Sequence, residues 1–332
     1  MSVEIAISFI LFASFMWGSW LQFVKFIKKW TINEFMVILY SFSLVFTWVI
    51  LGLGNGAGAY GELFVYLGEH PQLLLFPLVG GFLYTTGMWF NLSAVDIAGL
   101  TLTFIIFSAI ATIFGTALSI MGGGLPPGTS LLPVLFGALL MVGAVGLSSK
   151  AGDLRDKEKD VSRTEKEIEI NRAKIIKVIK YAVVSGLFVS SFPYFMTLSL
   201  KSSYKSVGLD AYQYMALLAI GSMIAISVLC IRPIIKTRKF KRMFAVPWSY
   251  FGMAVLSGVA HYGGNIMNAM AAPVVGLAIS WPLAQTMALW GTFWGLVHGE
   301  FKGSSRRVYL LIFSAIALFV VGTYILSRTV YS

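Results

Sequence analysis

Ten runs of apolar residues, each close to twenty long, decide what this chain can fold into. They fall near 3–26, 33–54, 71–95, 99–121, 130–149, 175–200, 211–235, 248–271, 275–298 and 306–327. A helix needs about 20 apolar residues to cross the hydrocarbon core of a bilayer. Lipid offers no water to backbone N–H and C=O groups, so such a run must satisfy them within its own helix. Only 12% of the 332 residues are charged, against about a quarter in soluble domains. The expected fold is therefore an all-α integral membrane protein with ten transmembrane helices.

The charge pattern sets orientation. The net charge of +11 does not imply nucleic acid as a partner, because the basic residues collect in short loops between apolar runs. Of the 25 Lys and Arg, 22 lie after the first, fifth, seventh and ninth runs; only Lys201, Lys205 and Arg328 lie on the other side. Basic loops stay cytoplasmic, so both termini are expected outside a multi-pass protein of the cell membrane. Cys230 is the single cysteine and sits inside an apolar run, so there is no disulfide framework. Met1-Ser2-Val3-Glu4 lacks a basic segment, so the first run reads as a retained span rather than a signal peptide.

The one long hydrophilic stretch divides the chain. Residues 1–149 are read as a first five-helix repeat, 150–174 as a cytoplasmic linker and 175–332 as a second five-helix repeat. Five spans per half make the halves inverted relative to each other. An offset of 177 residues pairs Gly81 with Gly258, Gly87 with Gly264, Asn91 with Asn268 and Gly99 with Gly276. The asparagine pair is the informative one, since apolar composition yields Gly and Ala matches readily. Inverted repeats are a signature of secondary transporters that bind their substrate between the halves.

Polar residues within the apolar runs mark the candidate site. Residues 248–300 form two helices with an expected break at Ala272-Pro273. His261, Asn265 and Asn268 are spaced to share one helical face, and Trp281 and Gln285 lie one turn apart. Tyr84, Gly87 and Asn91 line a face of the third run, and Ser190 and Tyr194 one of the sixth, with Pro193 between them. Trp17 and Gly18 stand in the first run. Asn and His also serve as glue between membrane helices. So many large polar groups at one depth point rather to a lined cavity. The expected substrate-binding residues are Trp17, Tyr84, Asn91, Ser190, Tyr194, His261, Asn265, Asn268, Trp281 and Gln285.

The lining suits a small neutral polar substrate. Asn, Gln, Ser, Tyr and His both donate and accept hydrogen bonds, and indoles stack on sugar C–H faces. An anion carrier should hold a cation at mid-span, and no Lys or Arg lies there. His261 is the one mid-span group with an ordinary pKa near neutrality, so it is the candidate for proton (H+) coupling; a neutral His261 with facilitated or Na+-coupled transport is the alternative. The three histidines lack metal-ligand spacing, and no nucleophile elbow or phosphate loop is present. No enzyme activity, cofactor or metal is expected. A non-transporting scaffold or sensor subunit is the competing reading, and the oligomeric state stays open.

The chain resembles the drug/metabolite transporter superfamily, ten spans as five plus five. Within it, the chain resembles the sugar-porter branch of L-rhamnose–proton symporters and glucose/ribose uptake porters. The resemblance rests on Phe15-Met-Trp-Gly-Ser-Trp20, the stretch Gly87 to Gly99, Gly146-Leu-Ser-Ser-Lys-Ala-Gly152, and Ile279-Ser-Trp-Pro-Leu-Ala-Gln285 running on to Gly295-Leu-Val-His-Gly-Glu-Phe-Lys-Gly303. It implies alternating-access transport of a monosaccharide, with a ureide, nucleobase or other metabolite as the alternative.

Overall fold

The computed structural model describes every residue except 99, 124, 126–127, 160–164, 203–204, 238–239, 300 and 330–332. Gly99 and Glu300, used in the sequence comparison above, thus lie outside the described residues. Among the described residues the fold is all-α, with only isolated bridges at Leu200–Leu209 and Ser202–Lys205. The first half holds α1 (Val3–Ser19), a 3₁₀ segment (Trp20–Phe26), α2 (Ile32–Asn55), α3 (Ala59–Glu69), α4 (Gln72–Ala98), α5 (Leu100–Gly123) and α6 (Leu131–Lys159). Then come α7 (Glu165–Val189), α8 (Ser191–Ser199), α9 (Ala211–Ile226), a π segment (Ser227–Ile231), α10 (Arg232–Lys236) and α11 (Phe240–Phe244). The chain ends with α12 (Trp248–Val275), α13 (Leu277–Ala284), α14 (Met287–Val297) and α15 (Arg306–Thr329).

Local chemistry fixes several helix ends. Thr31 with Glu34, and Asp210 with Gln213, form reciprocal capping boxes that satisfy otherwise unpaired N–H groups at the starts of α2 and α9. The sixth apolar run breaks at Ser190, and α8 restarts so that Pro193 falls in its first turn, where no N–H bond is lost. The break expected at Ala272-Pro273 lies elsewhere. α12 carries Pro273 in its last turn, and the chain reverses at Gly276, whose φ of 82° favours glycine. In the stretch 150–174, α6 continues to Lys159 and α7 begins at Glu165.

Packing is by close backbone approach. α4 lies along α7, α8 and α9; α12 lies along α1, α2 and α9; α5 packs on α7 and α8; α1 packs on α13 and α14; α6 and α15 pair with each other. At the α4–α9 crossing a Cβ on Gly81 would run into the Leu218 carbonyl, and one on Gly221 into the Leu78 carbonyl. Small residues at such crossings let membrane helices come close enough for dense packing. A chain of hydrogen bonds ties three helices together there: Tyr262 donates to Ser222 at 2.7 Å, and Ser222 to the Gly81 carbonyl at 3.3 Å.

Seven described helical segments are long and apolar enough to cross a membrane. The protein is an all-α, multi-pass membrane protein. The runs that miss this measure do so for local reasons. α12 has the length but carries the polar stripe, and the ninth run is split at Gln285-Thr286 into α13 and α14. In the fourth run the described apolar stretch is Phe107–Gly123.

Candidate functional site

α12 supplies the spine of the site. His261, Asn265 and Asn268 are all buried along one of its faces. The His261 ring lies parallel to Tyr84 of α4, with centroids 5.6 Å apart, and 4.7 Å from the Trp20 ring. Its Nε2 is 3.4 Å from the Tyr40 hydroxyl of α2, while its Nδ1 has no partner. Tyr84 donates to the Asn265 side-chain oxygen at 3.4 Å, leaving the Asn265 nitrogen unpaired.

Two indoles are locked by similar contacts. Trp17 donates to the His261 carbonyl at 3.2 Å and lies over Gly264, where a Cβ would come within 2.6 Å of its nitrogen. Trp281 donates to the Ala111 carbonyl of α5 at 2.7 Å and rests on Gly115, where a Cβ would collide with the indole. With their N–H groups held by backbone, both rings offer only faces and edges to a solute.

Between these groups is a cavity of about 400 Å³, counting the space it opens into. Trp17, Tyr84, Asn91, His261, Trp281 and Gln285 contribute to its wall, together with Met88 and Phe107. Among the described residues that form it, that wall has no charged side chain. The enclosed part is small, with room for no more than about two waters. Asn91 is fully buried and neither of its side-chain atoms has a hydrogen-bond partner among the described residues; the same is true of Gln285. An unpaired buried polar group costs about 1–3 kcal/mol, so these amides are held at a loss that an incoming hydrogen-bonding solute can recover.

The structure thus brings six of the ten expected residues to one cavity. Asn265 stands behind Tyr84, and Asn268 is buried with both side-chain atoms unpaired but outside the wall. Ser190 and Tyr194 lie apart. The Ser190 hydroxyl donates to the Gly186 carbonyl at 2.6 Å, and Tyr194 packs toward Gly122 of α5. The sequence reading missed Tyr40 and passed over Trp20 as a neighbour of His261. Tyr40 carries the signal of a tyrosine at mid-run, whose hydroxyl needs a partner once buried. No group of three or more His, Cys, Asp or Glu able to hold a metal occurs among the described residues.

Comparison with known proteins supplies the class. Residues 200–328 match the ureide permease family. Ureide permease 4 of Arabidopsis thaliana is 25% identical over 314 residues, covering 77% of this chain and 78% of the relative. Ureide permease 1 of the same plant is 24% identical over 335 residues, covering 84% of each. The chain is a membrane transporter of a small metabolite and not an enzyme. These matches overturn the sugar-porter resemblance, and neither a sugar substrate nor an ion partner draws support from them. The reason is chemical. The segments behind that resemblance, such as Ile279 to Gln285, are short and apolar, and their polar members hydrogen-bond hydroxyls and amides alike.

Proposed function

We propose that the chain moves a small, neutral, ureide-like solute by alternating access. The unpaired amides of Asn91 and Gln285 in an uncharged cavity carry this reading. A urea group sets a carbonyl beside N–H donors, and a side-chain amide offers the complementary pair. Two parallel hydrogen bonds can form in the plane of the amide. The planar faces of Trp17, Trp281 and Tyr84 suit a flat ureido group or ring, and the names of the relatives point the same way. A cavity with room for about two waters must widen to admit such a solute, as alternating access requires. His261 is carried forward as a binding group whose free Nδ1 faces the same need for a partner.

The proposed moving parts are two inverted five-helix halves, 1–149 and 175–332, joined by 150–174. The packing supports this. Exchanging the halves turns the α4–α9 contact into α12–α2, α4–α7 into α12–α1, and α5–α7 into α14–α1. The pairs α2–α9, α5–α13 and α6–α15 map onto themselves. Gly81 and Gly258, matched in sequence, each pack on the backbone of the opposite half's second span. With the basic loops inside, a reporter fused at Gly152 should give a cytoplasmic signal and one at the C-terminus an external signal. A cytoplasmic signal at the C-terminus contradicts this orientation.

Vesicles containing the protein should take up hydantoin, a neutral cyclic ureide, in a saturable way that glucose and rhamnose do not inhibit. Asn91→Ala and Gln285→Ala should each weaken apparent affinity several-fold, since one neutral hydrogen bond contributes about 0.5–1.5 kcal/mol. Unchanged affinity in both variants puts the site elsewhere, and strong inhibition by sugars overturns the ureide reading.

A further inference from the structure

A second recess lies where α5, α8 and α12 end. It spans about 970 Å³ including its open side, and Ser119, Gly122, Thr197, Lys201, Lys205 and Gly276 contribute to its wall. A shallower mouth of about 690 Å³ continues it past Lys201, Ser202 and Pro273. Trp281 lies about one helical turn below its wall. Leu277 and Ser119 line the recess, and one helical turn deeper Trp281 rests on Gly115 and is bonded to Ala111. Trp281 also lines the central cavity, which puts that cavity about one turn beyond Leu277 and Ser119 of the recess wall.

The two spaces differ in charge. Among the described lining residues the central wall has none, whereas the recess has two lysines and no carboxylate. The Lys205 ammonium donates one hydrogen bond, to the Leu198 carbonyl, and Lys201 stands 5.1 Å from the Tyr66 ring centroid. Each ammonium has three donors, so donors remain on both. Partial burial lowers the Lys205 pKa from its ordinary value, a desolvation cost that a neighbouring anion offsets. A low-dielectric recess with unbalanced charge of one sign concentrates solutes of the other.

We infer that this recess is a second solute site, selective for small solutes bearing a carboxylate and distinct from the neutral central cavity. Lys201 and Lys205 hold the carboxylate, and the hydroxyl-bearing wall of Ser119 and Thr197 accommodates the rest. This site does not depend on what the central cavity carries.

Hydantoate and hydantoin make a matched pair of probes, because the first is the ring-opened carboxylate form of the second. Binding of each is measured by calorimetry on the full chain in phosphatidylcholine nanodiscs. Hydantoate should bind saturably and more weakly as salt rises from about 20 to about 300 mM, since the Debye length shortens. The K201Q/K205Q variant should weaken hydantoate by about fivefold or more, because each charge-assisted hydrogen bond lost exceeds a neutral one. Hydantoin should change much less. Absent hydantoate binding, salt-independent binding by the parent, or equal weakening of both ligands overturns the inference. Hydantoin uptake tests the central reading separately, so either can fail alone.

Discussion

Gly81→Val should leave little folded protein. The Cβ it adds points at the Leu218 backbone carbonyl, and Gly221 faces the Leu78 carbonyl in the same crossing. A flexible side chain could swing away from such a clash, but a carbonyl inside a helix cannot. α4 and α9 must therefore separate, which breaks the bond from Ser222 to Gly81 and strains the one from Tyr262 to Ser222. Overpacking a dense interior costs about 1–3 kcal/mol, occasionally more, and a backbone clash belongs at the upper end. The yield of monodisperse protein and the denaturation midpoint in detergent should both fall sharply. Gly68→Ala is the control. Nothing lies near its Cβ position in α3, and replacing a helical glycine by alanine gains up to about 1 kcal/mol. Parent-like stability in Gly81→Val means that the two helices do not cross as described.

Part of this packing was legible in the sequence, where the glycine matches were discounted beside the asparagine pair although close approach demands glycine. Gly81, Gly87, Gly258 and Gly264 matched across the halves, and all four sit where a Cβ would press on another helix. The face of α12 was equally legible, since His261, Asn265 and Asn268 obey helical spacing within one unbroken helix. That same rule failed in the sixth run. Ser190 and Tyr194 are one turn apart only if the helix is continuous, and the break at Ser190 places Tyr194 in α8. The turn at Gly276 was missed because Pro273 is the louder signal, yet a proline near a helix end loses little. Tyr40 lay hidden because a lone tyrosine in an apolar run has no periodic partner. The substrate class was least legible, since amides and aromatic faces accept sugars and ureides from the same positions. Lys201 and Lys205 entered only as loop charges, because a recess formed by three helix ends has no signature in any one of them.

The second large effect separates binding from packing. If Asn91 and Gln285 are glue between helices, replacing them with apolar residues of similar size removes a stabilising bond. If they are held unpaired for a solute, the same replacement removes a desolvation cost of about 1–3 kcal/mol per buried group and should stabilise the protein. Asn91→Leu keeps the side-chain shape nearly intact, and Gln285→Met keeps its length. Each should cost transport most of its rate, because the solute's own polar groups then lose their partners on entering an apolar wall.

The most direct measurement is therefore thermal unfolding of Asn91→Leu in detergent without solute, set beside hydantoin uptake by the same variant in vesicles. The account predicts a midpoint at or above the parent's together with uptake near background. A lowered midpoint with uptake preserved would show that Asn91 binds helices together and that the cavity's unpaired amides are not its solute site.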